Sequence, residues 1–465
     1  MAEQCATFID ELEIERALNA GNVPSAARVR ELVAKAMELK GLTLDEVASL
    51  SLVEDPELLE EIFDAARQIK QLIYGKRLVL FAPLYISNEC MNECAYCAFR
   101  VSNKTLERRT LTQAEIADQT RILVSQGHKR ILMVAGETPH EQSLPYILDS
   151  IQTIYDTRTG NGEIRRVNLN LAPQSVEGFR ALKQAGIGTF QLFQETFHRP
   201  TYAAMHTYGR KRDYDWRTTA FDRAMEAGID DIGMGVLFGL YNWRFEILAM
   251  MQQIRHLEQH FGAGPHTLSF PRIEPAAGSE LASHPPHALG DANFLKIIAI
   301  MRLAVPYTGM IMSTRETAEV RRSTYAVGIS QISAGSRTNP GGYTPSPASS
   351  DNGQFQLGDH RSLDEVVRDI VSLGYTPSFC TACYRTGRTG QDFMDIAKPG
   401  DIKYHCTPNA LSTFQEYLCD YASTSTRAAG EQHIGNELKE LDGRQSSRAL
   451  PMIQKVRAGE RDVFI

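Results

Sequence analysis

The sequence predicts an α/β protein built on a closed (β/α)8 barrel of the TIM type, with N-terminal helices before it and a mainly helical C-terminal extension after it. Two observations predict this fold. From about residue 76 to residue 336, short apolar segments alternate with amphipathic helical segments, which is typical of βα units in a parallel sheet. Eight such units in roughly 260 residues match the size of a TIM barrel.

The N-terminal segment, residues 1–75, carries the start signals of helices. Ser25 precedes an apolar helical pattern, and Thr43 and Glu46 form a capping box. Asp55-Pro56 then opens a longer amphipathic stretch, with proline at the first helical position. None of these helices carries a chemical motif. We therefore expect a helical cap that packs on the main domain.

The barrel region, residues 76–336, contains the predicted strands. A capping box at Thr112 and Glu115 starts one of the helices between them. The active site of a TIM barrel lies at the C-terminal ends of its strands, so we expect the chemistry in the segments that follow them. The predicted strands are 78–86, 130–135, 167–171, 189–193, 231–237, 266–270, 309–313 and 328–332.

The pattern changes after residue 336. Residues 337–361 are rich in Gly, Pro and Ser and predict a linker loop. Ser362 and Glu365 form a capping box at the start of a C-terminal domain, residues 362–465. From about residue 422 the chain is charged and rich in alanine, and we expect a solvated helix there.

Length and composition narrow the class of function. The chain has 465 residues, of which 43% are hydrophobic, enough for a large buried core. Its net charge is −7 and it has no long Lys/Arg run, so we expect neither nucleic acid nor a membrane surface as a partner. The N-terminus lacks a signal-peptide pattern, and no stretch approaches the ~18 apolar residues of a membrane span. We therefore expect a cytoplasmic protein.

Three cysteines directly follow the first predicted strand. Cys90, Cys94 and Cys97 have the spacing Cys-x3-Cys-x2-Cys. In a reducing cytoplasm, clustered cysteines are more often metal ligands than disulfides. A structural zinc or an ordinary ferredoxin cluster takes four protein ligands, whereas three thiolates leave one iron of a 4Fe-4S cluster open. Such an iron can bind a small molecule and do chemistry with it.

A second triplet, Cys380, Cys383 and Cys406, lies in the C-terminal extension. Its Cys-x2-Cys-x22-Cys spacing also supplies three thiolates, and we interpret it as the site of an auxiliary iron-sulfur cluster. The alternative is a closed tetrahedral zinc site that His405 completes. That alternative would make the protein a non-catalytic metal-binding scaffold.

The first triplet, with an aromatic residue just before its last cysteine, resembles the radical S-adenosylmethionine (SAM) superfamily. The resemblance implies a barrel that holds a 4Fe-4S cluster with SAM on the open iron. Cleavage of SAM would give a 5′-deoxyadenosyl radical that abstracts a hydrogen from the substrate. Tyr96 would then stack against the adenine of SAM.

Further parts of the chain match the same superfamily signature. Gly136-Glu137, after strand two, resembles the Gly-Glu motif that meets the SAM ammonium group, although an ordinary strand-to-loop turn is the alternative. Glu195, after strand four, would face SAM or substrate unless it is a solvated loop acid. Asn168 and Asn170 in strand three would reach the ribose hydroxyls.

The second triplet makes the resemblance more specific. Its spacing is similar to the C-terminal site of the HydG family, the radical SAM tyrosine lyases that mature the FeFe-hydrogenase. Segments 195–202, 304–315 and 328–336 are also similar to this family. The resemblance implies cleavage of L-tyrosine to p-cresol and dehydroglycine. It also implies conversion of the dehydroglycine to carbon monoxide and cyanide on iron at the second cluster, for assembly of the H-cluster.

The same resemblance implies an additional iron at the second cluster, held partly by a cysteine or related amino acid and by a histidine. His266, at the start of strand six, is the candidate, with a core histidine as the alternative. Expected partners are a reduced electron donor, such as ferredoxin or flavodoxin, and other hydrogenase maturation proteins. The nearest rival function is the tyrosine lyase of thiazole (thiamine) biosynthesis, which should lack the second triplet.

Tyrosine binding requires a cation for the carboxylate and a polar group near the amine. Ser313 and Arg315, at the end of strand seven, are the candidates, because a guanidinium matches a carboxylate bidentately. The alternative for Arg315 is a surface ion pair with Glu316 or a neighbouring residue. Arg321 and Arg322 compete for the role, but we expect both to be solvated on the following helix.

Overall fold

Eight parallel strands close into a barrel in the computed structural model, which describes residues 8–20, 22–344 and 353–465. Each strand pairs with the next along the chain, and the eighth pairs with the first through Val79–Gln331 and Leu80–Ile332. All eight predicted strands are present, so the predicted fold class is confirmed. The strands are β1 (Arg77–Ser87), β2 (Arg130–Ala135), β3 (Arg166–Asn170), β4 (Phe190–Glu195), β5 (Ile232–Val236), β6 (Thr267–Ser269), β7 (Gly309–Met312) and β8 (Gln331–Ser333).

Helices cover the outside of the barrel. They and the strands share one continuous apolar core, as a parallel sheet that is buried on both faces requires. Thr112 and Glu115 form the predicted capping box at the first of these helices. The helices between the strands are Gln113–Ser125, His140–Asp156, Val176–Gln184, Arg199–Met205, Tyr214–Thr218, Ala220–Glu226, Trp243–Phe261, Glu280–Ser283, Asp291–Ala304 and Ala318–Val327, with a 3-10 helix at Arg210–Arg212.

The N-terminal helices pack on the barrel as a cap. The N-terminal caps at Ser25, Thr43 and Asp55 are present as predicted, each with its side chain accepting a hydrogen bond from the first turn. The Lys296 ammonium of a barrel helix donates to the Ser51 carbonyl at 2.7 Å, which ties the cap to the barrel. The helices of the cap are Glu11–Ala20, Ala26–Ala36, Leu44–Ser51 and Pro56–Tyr74.

A ninth strand, β9 (Thr376–Ser378), extends the sheet at the bottom of the barrel. It runs parallel to the first residues of β1, with Arg77 opposite Thr376 and Val79 opposite Ser378. The chain after β9 therefore starts at the N-terminal ends of the barrel strands, opposite to the end where a TIM barrel has its active site. Helix Leu363–Ser372 precedes β9, and the helices after it are Ala382–Arg385, Gly390–Ala397, Lys403–Asp420, Thr424–Glu440 and Gly443–Arg457.

The last two helices are packed rather than solvated. Ile434 on the first of them, and Met452 and Ile453 on the second, are buried. The expectation of a solvated tail is therefore wrong. A few apolar residues at helical spacing suffice to dock each helix, and the charged residues of the segment lie on the remaining faces.

The domain boundaries predicted above remain our proposal: a cap at 1–75, the barrel at 76–336, a linker loop at 337–361 and a C-terminal domain at 362–465. Ser362 forms the predicted capping box with Glu365 at the start of the last of these. Residues 345–352 of the linker loop lie outside the described residues. Within the part of the chain that the structure describes, no helix combines the length and the apolar character needed to cross a membrane.

Candidate active site and second cysteine site

A cavity of about 210 Å³ opens at the C-terminal ends of the barrel strands. We call it the mouth cavity. Strand ends from around the barrel contribute to its wall, and Gln354 and Phe355 of the linker loop close one side. Most of the predicted site residues meet here although they are far apart in the sequence. They are Cys90, Cys94, Tyr96, Cys97, Gly136, Glu137, Asn170, Glu195, Ser313 and Arg315.

The first cysteine triplet lies in a loop whose N–H groups point at the sulfur atoms. The Asn92 amide donates to Cys90 Sγ at 3.7 Å. Cys97 Sγ accepts from the Gln354 amide at 3.6 Å and from the Phe99 backbone N–H at 3.4 Å. Donors of this kind stabilise thiolates, which are the form of cysteine that binds iron.

Cys94 is the most enclosed of the three, with 5% of its surface exposed. Burial raises the pKa of its thiol to about 12, so without a metal this cysteine is protonated at neutral pH. Metal binding displaces that proton. A buried thiol in a loop of N–H donors therefore fits the iron-sulfur cluster that the three cysteines would hold.

The Gly136-Glu137 turn packs directly on the cysteine loop. A Cβ at position 136 would overlap the carbonyl oxygen of Glu89, so glycine alone lets the two backbones approach this closely. The Glu137 carbonyl accepts from the Met91 N–H at 2.8 Å, and its carboxylate accepts from the Asn92 amide at 2.7 Å. The turn thus lies beside the first triplet, which is the position that its predicted role requires.

Tyr96 is held in place from behind by a histidine. Its hydroxyl lies 2.8 Å from His206 Nε2, and His206 Nδ1 lies 2.8 Å from the Tyr202 carbonyl. A carbonyl can only accept, so His206 carries its proton on Nδ1, and Nε2 accepts from the tyrosine hydroxyl. Burial lowers the pKa of His206, which keeps the ring neutral. The Tyr96 ring is thereby fixed in the cavity wall.

Glu195 ends β4 in a strained conformation. Its φ is +73°, in the left-handed region, and the register with β5 shifts at this point. Its carboxylate lies 2.6 Å from Lys211 Nζ and 3.5 Å from the Arg217 guanidinium. Burial alone would raise the pKa of Glu195, but these two cations outweigh burial and lower it. Glu195 is therefore a buried, ionised wall residue and not a solvated loop acid.

No sequence signal marks Lys211 or Arg217. Lys211 lies in the 3-10 helix Arg210–Arg212 and Arg217 in helix Tyr214–Thr218, both well after the end of β4, so the rule that catalytic residues lie at strand ends does not find them. Arg217 also donates to the Phe193 carbonyl at 2.6 Å, next to the register shift between β4 and β5. The two cations thus help to hold the Glu195 carboxylate in place.

Asn170 lines the mouth cavity, whereas Asn168 lies deeper inside the barrel. The two share one face of β3, and two residues of strand place Asn168 about 7 Å further from the mouth. Its Oδ1 accepts from Arg166 Nε at 2.5 Å and from the Thr189 N–H at 3.1 Å. The predicted contact of Asn168 with ribose hydroxyls is therefore wrong, because this amide is an internal bridge of the barrel.

Arg315 faces the mouth cavity and makes no ion pair with any described residue. Its guanidinium lies 3.2 Å from the centre of the Phe355 ring and donates to the Arg272 carbonyl at 3.4 Å. Glu316, the alternative partner, pairs with Arg272 instead. Ser313 lies on the same wall, and its hydroxyl accepts from the Arg315 N–H at 3.3 Å. An unpaired guanidinium in a cavity can receive a carboxylate.

The two competing arginines are engaged elsewhere. Arg321 is completely buried and pairs with Asp359, so the expectation that it is solvated is wrong. Arg322 pairs with Asp369 at 2.6 Å on the surface of the same helix. Arg315 is therefore the predicted arginine that remains available in the mouth cavity.

Glu274 is a wall residue that the sequence argument missed. It lines the mouth cavity five residues after β6 and has no hydrogen-bond or ion-pair partner among the described residues. Burial and the nearby Glu316 raise the pKa of its carboxyl to about 7, against the opposing charge of Arg315. The strand-end rule would have found it, since it is the first acid after β6.

A second cavity, of about 40 Å³, lies at the opposite end of the barrel. We call it the bottom cavity. Cys380 and Cys383 reach it because β9 carries the chain to the start of β1, and helix Lys403–Asp420 contributes Cys406. His266, just before β6, lines the same cavity. The structure thus brings together all four residues predicted for the second metal site.

His266 has a free nitrogen in the bottom cavity. Its Nδ1 lies 3.4 Å from Asp231 Oδ2 but makes no hydrogen bond with a described residue. Its ring packs on Phe393, with ring centres 4.1 Å apart. Burial lowers the pKa of His266 to about 4, so the imidazole is neutral, which is the form that binds metals.

Three arginines from the starts of β1, β2 and β3 face the second triplet. Arg77, Arg130 and Arg166 each keep a buried N–H group without a partner among the described residues. Most buried polar groups in folded proteins have a hydrogen-bond partner, so three unpartnered N–H groups around one cavity are consistent with a site for an acceptor. The Cys380 sulfur also accepts from the Ala382 N–H at 3.4 Å. This environment fits a negatively charged cluster on the second triplet.

The closed zinc site is not supported. His405, which would complete it, has its Nδ1 3.5 Å from the Arg388 guanidinium. It is not among the described residues that line the bottom cavity. Zinc–sulfur bonds of ~2.3 Å would draw the ligands of a single ion tightly together. Among the residues described, no three His, Cys, Asp or Glu side chains are grouped for one metal ion.

The two cavities lie one above the other in the barrel. On several strands, residues two or three positions apart line the bottom cavity and the mouth cavity respectively. At ~3.3 Å per residue, their linings are separated by about 7 to 10 Å. These pairs are Val79 and Phe81, His266 and Ser269, Gly309 and Ile311, and Gln331 and Ser333.

Comparison with known proteins agrees with this geometry. The Radical SAM superfamily model matches residues 84–254, and the Biotin and Thiamin Synthesis associated domain matches residues 269–376. A 2-iminoacetate synthase of Escherichia coli (strain K12) is 30% identical over 346 residues, covering 74% of this chain and 89% of the relative.

Two crystal structures match almost the whole chain. A structure of HydG, a maturase of the [FeFe]-hydrogenase, is 47% identical with a TM-score of 0.95, covering 99% of this chain and 100% of that one. The HydG structure from Carboxydothermus hydrogenoformans is 38% identical with a TM-score of 0.84, covering 96% and 98%.

The barrel, the first triplet at its mouth and the superfamily match define a radical SAM enzyme, a class that uses SAM and a 4Fe-4S cluster. The matches extend through the C-terminal domain, which carries the second triplet. Within the class, the chain belongs to the HydG family. The family resemblance predicted from the sequence is confirmed.

Proposed function

We propose that this chain is the tyrosine lyase of [FeFe]-hydrogenase maturation. It cleaves L-tyrosine to p-cresol and dehydroglycine at the mouth cavity and converts the dehydroglycine to carbon monoxide and cyanide on iron at the bottom cavity. The observation that carries this proposal is the placement of two three-cysteine sites at opposite ends of one barrel. The near full-length similarity to HydG structures supports it.

The mouth cavity offers a complementary site for an amino acid. Arg315 receives the carboxylate of tyrosine, with Ser313 beside it, and Glu274 faces the ammonium group. Phe81 and Tyr85 give the cavity apolar walls for the phenol ring and exclude water from the reaction. A 4Fe-4S cluster with SAM would supply the hydrogen-abstracting radical there.

The cluster and SAM have their own set of wall residues. Cys90, Cys94 and Cys97 would hold the cluster. Tyr96, held by His206, presents a ring for the adenine, and the Gly136-Glu137 backbone lies beside the cysteines for the amino group of SAM. Asn170 and Glu195 complete the polar wall, with Glu195 kept ionised by its two cations.

The bottom cavity has the donors for the second step. Cys380, Cys383 and Cys406 would hold the auxiliary 4Fe-4S cluster, and His266 would bind the additional iron together with a cysteine or related amino acid. The three arginines described above neutralise the negative charge of the cluster and its anionic ligands. The dehydroglycine fragment passes through the barrel interior between the two cavities.

A double substitution, Cys383→Ala with Cys406→Ala, tests the division of labour. It leaves the ligands of the mouth cavity in place, so p-cresol and deoxyadenosine formation continue under anaerobic incubation with SAM, reductant and tyrosine. Carbon monoxide release is lost, because the fragment then has no iron on which to react. The iron content per chain falls by the number of irons that the second site binds.

Cys419→Ala is the matched control, because Cys419 lies on the same helix as Cys406 but is not among the described residues that line the bottom cavity. It should release carbon monoxide like the wild type. Carbon monoxide at the wild-type rate from the double variant would contradict the proposed role of the second triplet. The second triplet would then be structural, and the proposed maturase function would lose its main support.

A further inference from the structure

Exposed cations surround the loop that carries the first cysteine triplet. Segments 100–109 and 208–213 hold seven Lys or Arg and two Asp or Glu, in a chain whose net charge is −7. Lys104, Arg210 and Arg212 are exposed and make no ion pair with any described residue. Tyr208, 60% exposed, is one of the few large hydrophobic side chains on the described surface. We call these four residues the cationic patch.

The cationic patch lies directly against the cysteine loop. Tyr208 is paired with Glu93, next to Cys94, in the short antiparallel ribbon of Glu93–Cys94 and His206–Tyr208. Gly209 contacts Asn92 so closely that a Cβ at position 209 would overlap the asparagine side chain. The patch residues on this segment are therefore attached to the backbone between the cysteine ligands.

The other side of the patch is tied to the same asparagine. The Lys211 N–H donates to Asn92 Oδ1 at 2.9 Å, and the Val101 N–H donates to the Asn92 carbonyl at 2.9 Å. The Lys104 ammonium in turn donates to the Val101 carbonyl at 3.0 Å. Both cationic segments thus flank residues 91–92, so the patch lies over the surface side of the first triplet.

We propose that the cationic patch is the docking surface for an acidic one-electron carrier protein that reduces the cluster at the mouth cavity. This inference rests on the proposed function, because SAM cleavage at that cluster consumes one electron. The carrier loses one electron and the cluster gains one, and no covalent bond forms or breaks at this step.

The chemistry of the patch suits a transient electron-transfer complex. Unpaired exposed cations attract an acidic partner over long range and raise the rate of encounter, and salt weakens this attraction. Such complexes bury little surface, below about 1,200 Å², so a patch of four side chains is a sufficient core. The exposed Tyr208 of the patch adds apolar contact where charged groups alone would stay hydrated.

The test uses holoenzyme and reduced flavodoxin, an acidic one-electron carrier. Arg210→Glu with Arg212→Glu reverses two patch charges. The matched control, Lys439→Glu with Lys455→Glu, makes the same change in net charge on the C-terminal helices. Binding of flavodoxin is measured by biolayer interferometry at low and high salt. Deoxyadenosine formation is measured with flavodoxin or with dithionite as the reductant, and p-cresol is measured in the same samples.

We expect the patch variant to bind flavodoxin at least about tenfold more weakly at low salt, with a smaller difference at high salt. Its flavodoxin-driven deoxyadenosine formation falls, whereas its dithionite-driven rate stays at the wild-type level. The control variant should keep the wild-type flavodoxin binding and both deoxyadenosine rates. Equal binding by patch variant and wild type, or an equal loss in the control, would overturn the docking surface.

Loss of the dithionite-driven rate in the patch variant would also overturn it, because the arginines would then support the site itself. Failure of the proposed function is distinguishable from all of these outcomes. It would appear in the wild type, as deoxyadenosine formed without p-cresol.

Discussion

Arg315 is the residue on which tyrosine recognition depends most in our proposal. It is the arginine of the mouth cavity that keeps its N–H groups free of carboxylates, and Phe355 holds its guanidinium plane from one side. Arg315→Lys replaces a planar fork by a point charge. We expect tyrosine to bind about tenfold to a hundredfold more weakly, roughly 1.5–3 kcal/mol, while SAM cleavage without tyrosine continues.

Tyrosine affinity from p-cresol kinetics and deoxyadenosine formed without tyrosine are the two measurements for this variant. Arg322→Lys is the matched control, because its guanidinium pairs with Asp369 on the surface. An unchanged tyrosine affinity in Arg315→Lys would move the carboxylate site to another residue of the cavity.

Glu274 gives tyrosine binding a pH dependence with a definite sign. The pKa of its carboxyl is about 7, so the group is charged above that value and neutral below it. Only the charged form attracts an ammonium group. The affinity for tyrosine should therefore fall as the pH is lowered from about 8 to about 6, and Glu274→Gln should bind weakly and equally across that range.

The control for this profile is Glu319→Gln, on the exposed surface of helix Ala318–Val327, which should keep the wild-type pH dependence. A pH dependence that survives in Glu274→Gln would assign it to a different titrating group and would remove Glu274 from the ammonium site.

At the scale of elements, the turn after β2 and the cysteine loop form one unit. Gly136→Ala places a Cβ against the Glu89 carbonyl and 3.1 Å from Cys90 Cβ, so the cysteine loop must move. We expect the variant to fold but to lose the first cluster, about four irons per chain, together with deoxyadenosine formation. Iron analysis measures the loss of the cluster, and circular dichroism shows whether the variant is folded.

Gly435→Ala is a suitable control for that substitution. Its Cβ would meet no atom within 4 Å on helix Thr424–Glu440, so iron content should not change and the helix should become slightly more stable. Full iron content in Gly136→Ala would show that the loop tolerates the displacement and that the tight approach is not needed to hold the cluster.

Local patterns were sufficient to predict the strands, the helix caps and the cysteine sites. Each of these depends on neighbouring residues: apolar periodicity for β1 to β8, and one side chain three residues before another for the capping boxes at Thr43 and Thr112. The strand-end rule then placed Ser313 and Glu195 at the mouth, because all strands of a parallel barrel end on one side.

Pairings between distant segments could not be predicted in this way. The three residues of β9 include a proline and carry no strand pattern, and only their contact with the start of β1 makes them a strand. That contact explains why His266, just before β6, lines the same cavity as Cys380. The sequence pattern also does not show how far a side chain lies from the mouth of the barrel along its strand. For this reason the sequence predicts Asn168 at the mouth, although it lies deeper inside the barrel.

At the scale of the whole molecule, a buried ionic network joins the C-terminal domain to the barrel. The Glu416 carboxylate of helix Lys403–Asp420 lies 2.7 Å from the Arg165 guanidinium and 3.3 Å from Lys129 Nζ, near the starts of β3 and β2. All three side chains are at most 4% exposed. Because this helix also carries Cys406, the network helps to fix the second triplet beneath the barrel.

Breaking this network should destabilise the protein strongly. Glu416→Gln leaves Lys129 without a carboxylate and leaves Arg165 with only the more distant carboxylates of Asp462 and Glu163, which costs up to about 3–5 kcal/mol. We expect a fall of several degrees in Tm at neutral pH, measured by calorimetry. Glu431→Gln is the control on the neighbouring helix, because Glu431 pairs with Arg457 at the surface, where an ion pair contributes less than about 1 kcal/mol.

The Tm difference between wild type and Glu416→Gln should depend on pH, and the direction follows from the pKa of Glu416. Burial alone would raise this pKa, but the Arg165 and Lys129 cations outweigh burial and lower it. A carboxylate with a lowered folded-state pKa stabilises the protein above the ordinary glutamate value of about 4.3, and this stabilisation is lost as the pH falls through the folded-state value. The Tm difference between wild type and Glu416→Gln should therefore be constant near neutrality and shrink in acid below about pH 4. A difference that grows as the pH falls would mean that Glu416 is neutral in the folded protein and does not form the ionic network with Arg165 and Lys129.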